Sequence, residues 1–162
     1  MIHLLVGNTG AGKSTYANKL KLDINGVIFT LDKWNKILFL PDKTENDGVN
    51  WFLERIDRAE EVMQDLILQL ENSGVDSILD VGLSKFKHRE KYRKFAKENN
   101  IEVTVHFLNI PKEIRKQRVL KRNLEKGITF EFEVTNENFE FMENWFEAPL
   151  ETELKNSIVI TE

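Results

Sequence analysis

Residues 7–14, Gly-Asn-Thr-Gly-Ala-Gly-Lys-Ser, fit the pattern G-x-x-x-x-G-K-[ST], and no other segment of the chain restricts its fold as much. The pattern carries meaning only between a strand and a helix. Ile2, Leu4, Leu5 and Val6 precede it as an apolar run suited to a buried parallel strand. Thr15, Ala17, Lys19 and Leu20 follow it as the start of a first helix. Gly7, Gly10 and Gly12 let the backbone take positive φ and approach a ligand closely. The N–H groups of Asn8, Thr9, Ala11 and their neighbours, through Thr15, would then form an anion nest at the positive end of the helix. In that geometry Lys13 reaches the β- and γ-phosphates and the Ser14 hydroxyl ligates Mg2+. The expected ligand is a nucleoside triphosphate.

At 162 residues the length suits one domain, 1–162, and 41% hydrophobic residues supply a sizeable core. No apolar run is long enough to span a bilayer, and with the loop at residue 7 no removable leader is expected. With no cysteine there is no disulfide or thiol chemistry, which fits a reducing compartment; the expected location is the cytoplasm. His3, His88 and His106 show no metal-ligand spacing. Charge is uneven. Residues 127–162 hold nine Glu and one Lys, for −8, whereas residues 1–126 hold 22 Lys and Arg against 18 Asp and Glu, for +4. An acidic tail on a moderately basic body suits a phosphorylated ligand better than it suits a dedicated nucleic-acid binder.

Further along, Val27–Thr30 reads as a second strand ending at Asp32, and Trp34, Ile37, Leu38 and Phe39 suggest a short helix before the turns at Pro41 and Asn46-Asp47-Gly48. Apolar residues recur at helical spacing from Trp51 to Leu70, and Asn72-Ser73-Gly74 is a stop signal. Val75 and Ser77–Asp80 read as a third strand. Ser84 is expected to cap a basic helix reaching about Asn99, Val103–Leu108 to form a fourth strand, and Pro111 to open a helix bearing Arg115, Arg118 and Arg122. Residues 128–154 alternate Phe and Glu and then become amphipathic, and Ile158–Ile160 is a fifth strand. Strands alternating with helices imply an α/β fold, a parallel sheet wrapped on both faces, with ligands beyond the carboxyl ends of the strands.

Several absences narrow the chemistry. Asn35-Lys36-Ile37-Leu38 lacks the Asp of a guanine-reading tetrapeptide, Leu83 stands three residues after Asp80 where a GTPase switch has Gly, and Val81 stands where hydrolytic motors place a Glu. Phosphoryl transfer to a bound acceptor is what remains. A carboxylate at Asp32 can take the proton of an acceptor hydroxyl, although a turn or cap aspartate would look the same. Asp80 can hold the metal's water shell, or simply bond to a loop. Arg115, Arg118 and Arg122 at i, i+3 and i+7 share a helix face that can clamp phosphate, or can be a solvated basic face. Trp34 follows Asp32 closely enough to touch substrate. The aromatics between Phe130 and Phe146 could frame a ring or pack as core.

Gly7–Ser14, Thr30-Leu31-Asp32 with Trp34, Ile78–Gly82, Arg89, Phe107–Pro111, Arg118 with Arg122-Asn123, and Phe130–Pro149 occur in order. Together they resemble the small AAA_33-type ATP-binding proteins, often described as predicted P-loop kinases and similar to zeta toxins, chloramphenicol phosphotransferase and the kinase domain of polynucleotide kinase. The likeness covers nearly the whole chain; the Glu-Phe-Glu-Val and Trp-Phe-Glu-Ala-Pro segments point to this branch. It implies a three-layer P-loop NTPase fold with a five-stranded sheet in 2-3-1-4-5 order, ATP with Mg2+, and an arginine-bearing lid around 112–127. It further implies that Asp32 activates the acceptor, that Arg118 and Arg122 meet the triphosphate, and that Arg89 lies near the acceptor side.

The expected function is therefore an ATP-dependent kinase acting on a hydroxyl of a small molecule or nucleotide, with GTP still open as donor. Two rivals stand beside it: a 5′-hydroxyl nucleic-acid kinase using the basic stretch 84–99, and an ATP-binding module that transfers nothing. Tyr92, Phe95 and Ala96 define an inward stripe on that basic helix, which favours a solvated face over a nucleic-acid groove. The sequence does not set the oligomeric state.

Overall fold

Ile2–Val6 (β1) is buried at every position, as an apolar strand covered on both faces must be. In the computed structural model, which describes residues 1–127, 130 and 132–162, β1 is the centre of a five-stranded parallel sheet. Its neighbours are β3 (Ser77–Asp80) and β4 (Val103–Leu108); β2 (Val27–Thr30) lies beyond β3 and β5 (Ile158–Ile160) beyond β4, giving the order 2-3-1-4-5. Register pairs Leu4 with Leu79 and with Val105, and Thr30 with Asp80. The chain thus enters its loops at one sheet edge from β1, β2 and β3 together.

Alternation along the strands supplies two cores. Ile2, Leu4, Val6, Leu79, Val105 and Phe107 face Ala59, Met63 and Ile67 of α3 (Val49–Asn72) and Tyr92 and Ala96 of α4 (Phe86–Glu98). Leu5 and Ile78 face the other way, onto Ala17 of α1 (Lys13–Ile24). Helices therefore cover both faces. A polar seam crosses the second face: His3 Nδ1 lies 2.9 Å from His106 Nε2, Tyr16 Oη lies 2.8 Å from His106 Nδ1, and His3 Nε2 lies 3.2 Å from Asp76.

Element boundaries differ from expectation at three places. β2 ends at Thr30, and Asp32 sits in the first turn of α2 (Leu31–Trp34), where the helix dipole favours a carboxylate. That helix runs on through a π-helical turn, Asn35–Phe39, and a 3-10 turn, Leu40–Asp42. Ser84 does not cap α4. Lys85 holds the cap position, and the Glu147 carboxylate, far away in sequence, accepts from Phe86 N at 2.8 Å. Pro111 is the residue before α5 (Lys112–Glu125), and Thr135 caps α6 (Asn136–Trp145) by accepting from Asn138 N at 3.1 Å. Ile128, Thr129 and Glu131, the last heading the Glu-Phe-Glu-Val segment, lie outside the described residues.

The acidic tail is tied to the basic body. Glu140 pairs with Lys112 and Lys116, Glu143 with Arg115, Glu147 with Lys85, and Glu153 with Arg89. The charge asymmetry of the sequence is an intramolecular match.

Candidate functional site

The turn from β1 into α1 needs its glycines for two different reasons. Gly10 has φ +80°, and a Cβ there would stand 2.5 Å from the backbone oxygen of Arg115, so α5 packs directly on the loop. Gly12 has φ +92° and lies under the Arg118 guanidinium, which donates to Ala11 O at 3.2 Å. Asn8 Oδ1 accepts from Thr9 N at 2.7 Å, pinning the first half of the loop.

Lys13 curls back over this loop, donating to Gly7 O at 2.8 Å and Asn8 O at 3.4 Å. Burial pushes its ammonium below the ordinary lysine range, while Asp80 and Asp32 pull it back up. Ser14 Oγ donates to Asp80 Oδ2 at 2.7 Å. Lys13, Ser14, Asp32, Asp80, Arg118 and Arg122 all line one cavity of about 660 Å³, together with Gly7, Thr9, Gly10, Gly12 and Thr15. Burial also works against the charge of Arg122, opposed by Asp32, and its buried Nε has no hydrogen-bond partner among the described residues.

This donor set fits a magnesium-bound polyphosphate. Mg2+ takes one or two carboxylates and leaves its other positions to water and phosphate oxygens, which matches a lone Asp80 beside Ser14. No cluster of three or more His, Cys, Asp or Glu that could hold a metal by itself occurs among the described residues. An orphaned guanidinium N–H and a lysine bonded only to loop carbonyls are groups that an anion would satisfy.

Asn8 and Ala11 are buried within the loop and are not among the cavity-lining residues, and three candidates outside the loop stand elsewhere. Arg115 is 6% exposed, and its guanidinium grips Glu143 with two bonds of 2.6 and 2.9 Å while also donating to Thr9 O and Ile110 O. It buttresses the loop from behind instead of facing the cavity with Arg118 and Arg122. Arg89 is fully buried, and five hydrogen bonds, to Glu153, Leu83 O, Glu147 O and Ala148 O, occupy its donors. That leaves nothing for an acceptor, so Arg89 fastens the chain after α6 to α4. Trp34 packs edge-on against Phe29 with ring centroids 6.0 Å apart and is not among the cavity-lining residues.

Other residues emerge only from the structure. Glu143 accepts from the Asn8 amide as well as from Arg115, so α6 reaches the loop. Phe132, Val134, Asn138, Phe141, Met142 and Trp145 line the same cavity and form a largely apolar wall. Their Phe and Trp content was visible in the sequence, but nothing in spacing alone separates a wall from a core. On α4, Tyr92 and Ala96 are buried and Phe95 half-buried, while Lys91, Arg93 and Lys94 pair with Glu60, Glu90 and Glu98. Much of the basic stretch is thus spent on ion pairs.

A family model described as AAA domain, AAA_33, matches residues 2–149. The chain belongs to the AAA_33 family. Among solved structures, Kti12 of Chaetomium thermophilum, in complex with ADP-AlF3, superposes with TM-score 0.72 at 14% identity, covering 99% of this chain and 89% of that one. A gluconokinase from Sinorhizobium meliloti 1021 gives TM-score 0.61 at 13% identity over 98% and 81% of the two chains. A sugar kinase from Janibacter sp. HTCC2649 gives 0.58 at 18% over 99% and 84%. At these identities the likeness is one of fold: this AAA_33 member has the five-stranded parallel α/β fold of the P-loop kinases. No curated protein sequence matches it significantly. No helix among its described residues is long and apolar enough to cross a membrane.

Proposed function

We propose that this AAA_33 member is an ATP-dependent phosphotransferase whose acceptor is a hydroxyl on a small molecule or nucleotide. The observation that carries the reading is the meeting of Lys13, Ser14, Asp80, Arg118 and Arg122 with Asp32 around one cavity. Bound there with Mg2+, ATP supplies an electrophilic γ-phosphorus. The Lys13 ammonium would turn from its loop carbonyls to phosphate oxygens, and Ser14 and Asp80 would hold the metal. Asp32 takes the proton of the acceptor hydroxyl. That oxygen forms the new bond to phosphorus, and the bond to the bridging oxygen breaks with its electron pair going to ADP. Arg118 and Arg122, projecting from α5, neutralise charge on the transferring group. α5, packed on the loop at Gly10, screens that side of the site from water and limits hydrolysis.

The test uses γ-labelled ATP with a metabolite library. Label passes to at least one hydroxyl compound, and Asp32→Asn lowers that transfer by about 10²- to 10⁴-fold while ATP affinity by calorimetry stays within about threefold. Unchanged ATP turnover in Asp32→Asn, with no labelled acceptor, would mean a binding or hydrolysing module instead.

A further inference from the structure

Three large aromatics are left in the open beside the phosphate loop. Phe132, Phe141 and Trp145 are 56%, 60% and 44% exposed, and all three line the cavity that holds Lys13. Phe141 and Trp145, four residues apart on α6, stack with centroids 5.8 Å apart and planes 18° from parallel. Solvent-facing aromatics grouped on the wall of a charged cavity are a binding surface, since burial elsewhere in the core would have been more favourable.

Sheet order tells which end of the cavity they serve. β2 and β3 lie on one side of β1, so Asp32, Asp80, Gly82 and Ser84 all fall on that flank of the loop. The end of α6 is fastened to the same flank: Glu147 N donates to Ser84 O at 2.9 Å, and Lys85 Nζ sits 4.2 Å from the centre of the Trp145 ring. Nearer its middle, Glu143 holds the Asn8 amide. The Trp145 end of the aromatic wall therefore lies on the side of Asp32, where an acceptor must wait, while Val134, two residues after Phe132, packs with Val119 of α5. Thr15 and the first turn of α1 mark the other end.

Chemistry then selects the acceptor. Away from the phosphate-binding groups, the lining offers Phe132, Val134, Phe141, Met142 and Trp145 but few polar side chains, chiefly Asn138 and Ser84. A polyhydroxylated sugar buried there would leave hydroxyls without partners, whereas a flat ring would stack on Phe141 and Trp145 and need few. We propose that the Phe132–Phe141–Trp145 wall is the acceptor subsite, and that it takes a hydroxyl compound carrying a planar aromatic ring, of which a nucleoside is one form, in preference to a sugar or polyol. This deepens the phosphotransferase reading and rests on it for the word acceptor; the ring subsite itself does not.

The experiment is therefore binding first. Protein saturated with a non-hydrolysable ATP analogue and Mg2+ is titrated calorimetrically with adenosine, uridine and 2-phenylethanol, and with ribose and gluconate as ring-free probes. At least one ring-bearing probe is expected to bind saturably and the ring-free ones not. Phe141→Ala should weaken ring binding by at least tenfold, Phe141→Leu should weaken it less, and the affinity for the analogue should stay within twofold in both. Equal or better binding of ribose or gluconate, no saturable binding of any ring-bearing probe, or a tenfold loss of analogue affinity in Phe141→Ala would each overturn the proposal, the last by giving the wall to adenine. Ring binding without transfer of label from ATP keeps the subsite and overturns the kinase chemistry. Transfer to gluconate alone does the opposite.

Discussion

Four arginines that look alike in the sequence occupy two regions of the molecule with opposite electrostatics. Arg118 and Arg122 project from α5 into the cavity, where Arg118 reaches a loop carbonyl and the Arg122 Nε has no partner among the described residues. Arg89 and Arg115 are sealed behind the site, each bound bidentately to a glutamate. The difference lies in the second residue of each pair. Glu143 and Glu153 belong to the acidic tail, which folds back and neutralises the two arginines it can reach. What the tail leaves unmatched faces the phosphate loop. Beside Arg118 and Arg122 the tail places no glutamate, and the carboxylates that line their cavity are Asp32 and Asp80.

Removing a partner of a sealed arginine should have the largest effect. Glu153→Ala leaves a fully buried guanidinium unpaired, and should cost about 3–5 kcal/mol in urea unfolding. In the wild type, burial works against the Glu153 carboxylate, yet hydrogen bonds from Arg89 and from Leu150 N hold it below the usual range. The cavity arginines should behave in the reverse way. Arg122→Ala should slow phosphate transfer by about 10²- to 10³-fold and change stability by no more than ~0.5 kcal/mol. A large loss of stability in Arg122→Ala, or a large loss of transfer with normal folding in Glu153→Ala, would dissolve the distinction.

His106 offers a third case, a buried base whose ring nitrogens meet His3 and Tyr16, with Asp76 one step further through His3. Burial and the neighbouring His3 push its pKa down to about 4 from 6.5. The unfolded chain therefore binds a proton first as pH falls, so this stabilisation is complete above pH 6.5 and disappears progressively towards pH 4. Its upper limit is ~3 kcal/mol, and in His106→Gln the slope of stability against pH over that window should flatten. Smallest of all, Lys112→Gln, which removes an exposed partner of Glu140, should leave the melting temperature unchanged within error.

The sequence exposed the strands because each is a short apolar or β-branched run, and the phosphate loop because its glycines and lysine are required at fixed spacing. Helix beginnings were harder. Ser84 looks like a cap, but the α4 N-terminus is served by Glu147, more than sixty residues away, and no local signal records that. The same applies to the arginines: periodicity put Arg115 on one face with Arg118 and Arg122, while packing of α5 against Gly10 and the reach of Glu143 turned it inwards. Residues whose roles depend on a distant carboxylate, Arg89 foremost, were visible in the sequence as charges, but their partners were not. The wall at Phe141 and Trp145 was visible as aromaticity; which side of it faces water was set by where α6 docks.

The central claim is that the 7–14 loop, with Lys13, holds a magnesium-bound nucleoside triphosphate. Calorimetric titration of the protein with ATP and Mg2+, beside Lys13→Ala, tests it most directly. Saturable binding at one site is expected of the wild type, weakened at least ~10-fold in the variant by loss of a charged hydrogen-bond donor. No binding by the wild type, or equal affinity in both proteins, would contradict it.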